Sequence, residues 1–131
     1  MAGFIVAGCG GGEDGTDGSS ENGKLKIVAT IGMIADVANN VGGENVEVVG
    51  LMGPGVDPHT YKASAGDVTR MSEADLILYN GLHLEGAMSE VLQKVGQRAN
   101  TYAVAEAVDE SRLLSSADYE GAHDPHIWFD V

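Results

Sequence analysis

The stretch "LKIVATIGMIADVANNVGG", residues 25–43, joins an apolar run directly to a helical one. Its first part, "LKIVATI" (25–31), is short and rich in β-branched residues, which is typical of a buried strand. The second part, "MIADVANNVGG" (33–43), predicts a helix that ends at the Gly42-Gly43 pair, since glycine is favoured just past a helix C-terminus. The stretch therefore predicts a strand followed at once by a helix.

The alternation continues along the chain after this first unit. Three more apolar runs predict strands: "VEVVGLM" (46–52), "ADLILYN" (74–80) and "NTYAVAEAV" (100–108). Strands that alternate with helices imply right-handed βαβ crossovers, and hence a parallel sheet. We expect an α/β fold with a four-stranded parallel sheet flanked by helices.

Two helices are predicted between these strands. The first runs from a cap at Ser64 to about Ser72, with Asp67 in the third position of a capping box. The second covers "EGAMSEVLQKVGQ" (85–97) and is amphipathic. Its apolar face consists of Met88, Val91, Leu92 and Val95.

Length and charge narrow the classes of protein. The 131 residues suffice for one domain with its own core. Twenty acidic residues against seven basic ones give a net charge of −13, which argues against a nucleic-acid partner. The same charge suits a protein that handles cations, although solubility alone also explains it. No run of about 18 or more apolar residues is present to span a membrane as a helix.

The first residues are unlike the rest of the chain. Val6-Ala7-Gly8-Cys9 resembles a bacterial lipobox, in which the cysteine becomes the acylated N-terminus. Residues 10–23 consist largely of Gly, Ser, Asp and Glu and predict a flexible acidic linker. Residues 1–9 lack the basic start and the longer apolar region of a complete signal. They are therefore either a truncated lipoprotein signal with Cys9 as lipidation site, or an ordinary terminus.

One tripeptide occurs twice, each time before an aromatic residue. Asp57-Pro58-His59 precedes Tyr61, and Asp124-Pro125-His126 precedes Trp128. The first copy follows the second predicted strand and the second copy follows the fourth. Because ligands of open parallel sheets bind outside the carboxyl ends of the strands, both copies are expected to reach the same edge.

Asp-Pro-His is suited to holding a metal ion. Neutral imidazole is the commonest protein ligand of first-row transition metals, and proline stiffens the backbone on either side of it. The Asp carboxylate is close enough to accept from local backbone N–H groups or from the second ring nitrogen. An aromatic residue two positions later can shield the site from water. A single copy would favour an ordinary Asp-Pro turn, but two copies at one sheet edge predict metal ligands at His59 and His126.

Other candidate residues are weaker. His83 follows the third strand, but its neighbours Leu82 and Leu84 indicate a loop packed on apolar surface and a supporting role. His123 forms H-x-x-H with His126, a spacing that chelates on a helix, which Pro125 disfavours. Neither a phosphate-binding loop nor a nucleophile motif is present in the sequence.

Four segments resemble one family of proteins: "IVATIGMIADVANNVGG", "GLMGPGVDPHTYKASAGDV", "ADLILYNGLHLEG" and "DPHIWFDV". They are similar to the TroA-like (cluster A-I) solute-binding proteins, which deliver manganese or zinc to bacterial ABC transporters. The resemblance covers about residues 25–131. It implies two α/β lobes joined by a long helix, with residues 24–131 as the N-terminal metal-binding lobe and the C-terminal lobe absent.

The resemblance also implies a function. His59 and His126 match the two histidines that the first lobe contributes, and the second lobe supplies a histidine or glutamate and an aspartate. The protein is then an extracytoplasmic, membrane-anchored lipoprotein and a monomer, not an enzyme. It captures Zn²⁺ or Mn²⁺ as transported ligand and hands it to an ABC permease.

The resemblance leaves the metal open between zinc and manganese. Zinc receptors of the family often carry a His-rich acidic loop before the second Asp-Pro-His, whereas "SSADYEGAHDPH" (115–126) is acidic without being His-rich. This favours a place among those family members that bind manganese or zinc and lack the His-rich loop. Three histidine ligands favour zinc and more carboxylate favours manganese, but those remaining ligands are not in the sequence.

Two alternatives come from other functional classes. A metallohydrolase would hold a catalytic metal with two histidines and a carboxylate from Asp57, Asp124 or Asp130, with one position open for water. No Glu or His stands out as its general base. A surface adhesin on a lipid tether is also compatible with the sequence.

Overall fold

A computed structural model describes residues 23–117 and 120–129. The lipobox-like segment with Cys9, residues 1–9, lies outside the described residues. So do nearly all of the predicted linker and Asp130. The predictions made for those parts of the chain remain predictions.

The described chain forms a four-stranded, all-parallel sheet, which confirms the predicted fold class. The strands are β1 (Leu25–Ala29), β2 (Val46–Gly50), β3 (Leu76–Tyr79) and β4 (Asn100–Ala103). Their order across the sheet is β2-β1-β3-β4. The chain therefore adds β2 on one side of β1 and then crosses to add β3 on the other. The connections that leave β1 and β3 therefore run to opposite faces of the sheet, and parallel sheets bind ligands at such a point.

Three helices connect the strands: α1 (Gly32–Gly42), α2 (Ala65–Ser72) and α3 (Ser89–Gly96). Helix α1 contacts β1 and β2, and α2 contacts α3. Right-handed crossovers with this strand order place α1 on one face and α2 and α3 on the other. None of the helices in the described part of the chain combines the length and apolarity needed to cross a membrane.

The end of α1 confirms the role predicted for the two glycines. Gly43 has a φ of 53°, in the region that favours glycine, and its N–H donates to the carbonyl of Asn39. A side chain on Gly42 would meet Val46 at 2.3 Å, because the chain turns directly into β2. The pair therefore both ends the helix and makes room for the next strand.

All four strands are shorter than the sequence indicated, and β4 differs most from its prediction. The run 100–108 is a strand only to Ala103 and continues as a 3₁₀ helix over Val104–Ala107, so the longer strand is wrong. Its neighbour β3 ends at Tyr79, which pairs with Ala103, and beyond that pair the Ala105 N–H donates to the Asn80 carbonyl from within the 3₁₀ helix. The predicted helix over 85–97 begins with a 3₁₀ turn, Gly86–Met88, before α3.

The core is aliphatic, as the small number of aromatic residues suggested. The apolar side chains of its buried cluster come from β1, β3, the helices and the loops, with no aromatic residue among them: Val28, Ala29, Ile31, Ile34, Met52, Met71, Ile77, Leu84, Met88 and Leu92. Tyr61, Tyr79 and Trp128 pack around this cluster and are partly buried. Met88 and Leu92 lie on the predicted apolar face of α3.

Helix α2 begins with the capping box that the sequence predicted. The Ser64 hydroxyl accepts from the N–H of Asp67, and the buried Asp67 carboxylate accepts from the Ser64 N–H at 2.8 Å. The Tyr61 hydroxyl donates to the same carboxylate oxygen at 2.8 Å, and Arg70 approaches the other oxygen at 3.1 Å. Burial acts to raise the pKa of Asp67, but the hydrogen bonds from Ser64 and Tyr61 and the Arg70 charge outweigh it, so the pKa is lowered.

We expect Asp67→Asn to destabilise the protein by about 2 kcal/mol at neutral pH, since an amide group cannot accept from all of these donors. Arg70 is largely exposed and contributes little to that value. Because the pKa of Asp67 is lower in the folded protein, its contribution is present above the ordinary Asp pKa of about 3.9 and is lost as pH falls through the folded value. Urea unfolding at several pH values between about 3 and 7 measures both the loss of stability in Asp67→Asn and its dependence on pH.

Asp36→Asn, an exposed change on α1, is the matched control and should leave the unfolding midpoint unchanged. Equal stabilities for Asp67→Asn and the unsubstituted protein at neutral pH would contradict the assignment of the cap.

Candidate metal centre

The two Asp-Pro-His loops meet at the carboxyl edge of the sheet. The ring centroids of His59 and His126 lie 5.5 Å apart, with the ring planes inclined at 63°. Both histidines are exposed. Two nitrogens bound to one tetrahedral zinc ion are about 3.3 Å apart, and rings at this separation are compatible with that distance. The structure thus brings together the two histidines on which the sequence-based metal prediction depends.

The first loop fixes the backbone beside its histidine. The Asp57 Oδ1 atom accepts from the His59 N–H at 2.9 Å, and Oδ2 accepts from the Thr60 hydroxyl at 2.9 Å. The backbone hydrogen bond from His59, with that from Thr60, holds the pKa of Asp57 below its usual value. Asp57 therefore remains a hydrogen-bond acceptor that closes the turn.

The second loop fixes the ring as well as the backbone. The Asp124 Oδ1 atom accepts from the His126 N–H at 2.9 Å and lies 2.6 Å from its ring Nδ1. The backbone hydrogen bond from His126, followed by the ring contact, lowers the pKa of Asp124. Because an ionised carboxylate only accepts, Nδ1 carries the hydrogen and the lone pair of Nε2 is left for a metal.

The two aromatic residues have different roles. The indole of Trp128 packs edge to face on His126, with ring centroids 5.3 Å apart, and so covers one side of that ring. Tyr61 instead turns toward α2 and donates its hydroxyl to Asp67. Of the two aromatic residues that could shield the site, Trp128 contacts a histidine ring, and the hydroxyl of Tyr61 is bonded to α2.

The second loop is anchored to the sheet by residues that the sequence-based search missed. Asn80, directly after β3, donates from Nδ2 to the carbonyl of Pro125 at 2.9 Å. Its backbone N–H donates to the buried carboxylate of Glu85 at 2.7 Å, and the Thr30 hydroxyl donates to the same oxygen at 2.7 Å. The only local sign of this anchoring role in the sequence is that Thr30 and Asn80 are polar residues at the ends of apolar runs.

The two other histidines are not part of the pair. His83 is exposed, with a φ of 65°, and lines an open groove of about 850 Å³ that His123 also lines. His123 is half-buried, forms an isolated bridge with Ser115, and places Nε2 3.4 Å from the carboxylate of Glu110. Leu84 is buried, as expected of a loop packed on apolar surface, but His83 itself is not.

The described residues bring together two candidate metal ligands and no complete shell. Among residues 23–117 and 120–129, no group of three or more His, Cys, Asp or Glu side chains is placed to hold a metal ion. The carboxylates of Asp57 and Asp124 are engaged in the turns that orient the histidines. The arrangement is therefore a preformed pair of imidazoles that needs further ligands to complete a site.

A parallel α/β sheet with paired imidazoles outside its carboxyl edge is the arrangement expected of a protein that binds transition metals. Comparison with known sequences identifies the family. The sequence model described as "Zinc-uptake complex component A periplasmic" matches residues 27–131. The chain belongs to this family, and the resemblance drawn from the sequence is confirmed.

Characterised relatives include proteins named for two different metals. The chain is 47% identical to the manganese-binding lipoprotein MntA of Bacillus subtilis, over 100% of this chain and 42% of the relative. It is 50% identical to the zinc-binding protein TroA of Treponema pallidum, over 89% of this chain and 37% of the relative. The chain thus spans about two fifths of the length of these relatives.

Solved structures show the same fold. The periplasmic zinc-binding protein TroA of Treponema pallidum superposes with a TM-score of 0.76 at 52% identity, over 82% of this chain and 38% of that one. Zinc-bound AdcA of Streptococcus pneumoniae gives a TM-score of 0.68 at 28% identity, over 81% of this chain and 22% of that one.

The different hydrogen bonds of the two Asp residues, Asp124 to the ring of its histidine and Asp57 to the backbone, can be tested. We expect Asp124→Ala to free the His126 ring and to raise the share of its Nε2–H tautomer, since Nδ1 then has no carboxylate partner. Asp57→Ala should leave the tautomer of His59 unchanged, because Asp57 accepts from the backbone rather than the ring. Ring ¹⁵N chemical shifts of the metal-free protein, in alkaline buffer where imidazole is neutral, report both. An unchanged His126 tautomer in Asp124→Ala would refute the assigned contact.

Proposed function

We propose that this chain is the metal-binding part of an extracytoplasmic solute-binding lipoprotein that captures Zn²⁺ or Mn²⁺ and delivers it to an ABC permease. The observation that carries the proposal is the pair of imidazoles, His59 and His126, with ring centroids 5.5 Å apart at the sheet edge. Asp124 contacts the ring of His126, and Asp57 accepts from the backbone N–H of His59. Membership of a zinc-uptake family supports the same function.

His59 and His126 are two ligands of the transported ion in this proposal. The remaining ligands come from outside the described residues, in which no third ligand accompanies the pair. The characterised relatives are more than twice as long as the part matched here, which leaves ample chain for those ligands. Metal binding would then require both this chain and the part of the protein that supplies the remaining ligands.

The identity of the metal depends on those further ligands. The chain is nearly as similar to a relative named for manganese, at 47% identity, as to one named for zinc, at 50%. Two imidazoles suit either ion, and selectivity between them follows from the number and type of the other donors. We therefore leave zinc and manganese as equal candidates.

Binding and delivery, rather than catalysis, is the proposed role. The relatives compared above are named as metal-binding proteins or lipoproteins. The two Asp-Pro-His carboxylates are committed to hydrogen bonds within their turns, so neither is placed as a free general base. The permease partner and the monomeric state are part of the proposal.

Loss of either histidine should weaken binding of both metals. In the full-length protein, His59→Ala and His126→Ala should each lower the affinity for Zn²⁺ and Mn²⁺ by about 100-fold or more. A missing ligand costs more than the roughly 10- to 100-fold typical of supporting residues. Competition titration against a chromophoric chelator measures the change. His83→Ala is the matched control and should bind as the unsubstituted protein does; unchanged affinity in both ligand variants would refute the proposal.

The lipid anchor is a separate part of the proposal. Cys9 follows Val6-Ala7-Gly8 and precedes a Gly-rich acidic segment, as expected of an acylated cysteine on a tether. Cys9→Ser in the full-length protein should move it from the membrane fraction to the soluble fraction of the host cell. Cell fractionation with immunodetection is the measurement, and Ser19→Ala, within the same tether, is the control. Continued membrane association of Cys9→Ser would argue against lipidation at this residue.

A further inference from the structure

The carboxylate of Glu85 lies buried between the ends of β1 and β3. Its residue is 3% exposed. Oε1 accepts from the Thr30 hydroxyl and from the Asn80 N–H, both at 2.7 Å, and Oε2 accepts from the Gly81 N–H at 3.2 Å. These donors lie directly after β1 and β3, the neighbouring strands whose connections run to opposite faces of the sheet. The carboxylate thus joins the strand ends at the crevice where parallel sheets bind ligands.

Asn80 extends this network to the second Asp-Pro-His loop. Its Nδ2 donates to the carbonyl of Pro125 at 2.9 Å and to that of Gly81 at 3.0 Å. Its side-chain oxygen is buried and has no partner among the described residues. The side-chain NH₂ of Asn80 therefore donates to two carbonyls, one of which belongs to the peptide bond immediately before His126.

Thr30 extends the network toward the first Asp-Pro-His loop. Its carbonyl accepts from the N–H of Met52 at 3.0 Å, just after β2. Met52 is buried in the core and begins the segment that leads to His59. One buried carboxylate is therefore connected through Thr30 to the start of one loop, and through Asn80 to the peptide that precedes His126.

We propose that Asn80 and Glu85 are positioning residues that set the placement of the His126 imidazole relative to that of His59. The proposal rests on the proposed function, in which these two rings bind one metal ion. Neither residue contacts the metal. Asn80 acts on the carbonyl next to His126, and Glu85 acts by holding Asn80 and Thr30 in place.

The chemistry of each side chain is specific to this role. A carboxylate only accepts, so Glu85 satisfies three donors at once; in Glu85→Gln an NH₂ group must face at least one of them. At position 80 the requirement is reversed, since the side chain must donate to two carbonyls. Asn80→Asp keeps the shape but sets an oxygen against those carbonyls. Both substitutions preserve volume and reverse the hydrogen bonding.

The test compares these isosteric variants with a variant that only weakens the core. Leu92→Ala is the control, since Leu92 is buried on α3 and is not part of the network. For each full-length variant, urea unfolding gives stability, ring NMR signals of metal-free protein report the His126 environment, and chelator competition gives affinity for Zn²⁺ and Mn²⁺. We expect Asn80→Asp and Glu85→Gln to shift the His126 ring signals and to weaken metal binding by about 10-fold or more. Leu92→Ala should lose stability without either effect.

The outcomes separate this proposal from a purely structural network. If Asn80→Asp and Glu85→Gln lose stability while the His126 signals and metal affinity match those of Leu92→Ala, the positioning role is refuted. If Asn80→Asp does not fold, Asn80→Ser takes its place, since it deletes the donor without placing a charge against the carbonyls. The NMR comparison uses no metal. Displaced His126 signals in variants of a protein that binds no metal would support the positioning role and refute the proposed function.

Discussion

Glu85 lies at the carboxyl ends of β1 and β3, neighbouring strands whose connections leave toward opposite faces of the sheet. Its carboxylate accepts from Thr30 on one side and from Asn80 and Gly81 on the other. A buried carboxylate is costly unless its lone pairs are satisfied, and here backbone and hydroxyl donors satisfy them. The same network reaches the Pro125 carbonyl through Asn80 and the Met52 N–H through Thr30, so it joins the strand ends to both histidine-bearing loops.

Local sequence patterns predicted the elements of the fold well. The apolar runs, the Gly42-Gly43 helix end and the Ser64–Asp67 capping box each depend on residues close together in the chain. The end of β4 was missed because it depends on β3: Tyr79 pairs with Ala103, and the next residue, Asn80, accepts from the Ala105 N–H through its carbonyl. Propensity favoured a longer strand, but regular pairing with β3 ends at Ala103 and the chain turns there into a 3₁₀ helix.

The candidate site was predictable only in part. A repeated tripeptide at equivalent strand ends identified the His59 and His126 pair. The two copies have the same sequence but form different hydrogen bonds. Asp124 reaches the ring of its histidine, whereas Asp57 bonds to the backbone and to Thr60. The support from Asn80 to Pro125 joins residues far apart in sequence, and no local pattern indicates such a contact.

In the proposed function, where His59 and His126 bind one ion, the division between exposed imidazoles and buried support has a thermodynamic consequence. The imidazoles of His59 and His126 are exposed, while Asn80 and Glu85 behind them are buried. Folding orders the loops, so an ion that binds to the pair does not have to order them again, and less binding free energy is lost to side-chain and loop entropy. The same rigidity restricts the directions from which the two nitrogens approach an ion. A fixed pair therefore sets two bond directions in advance, and the ligands that complete the shell must fit around them.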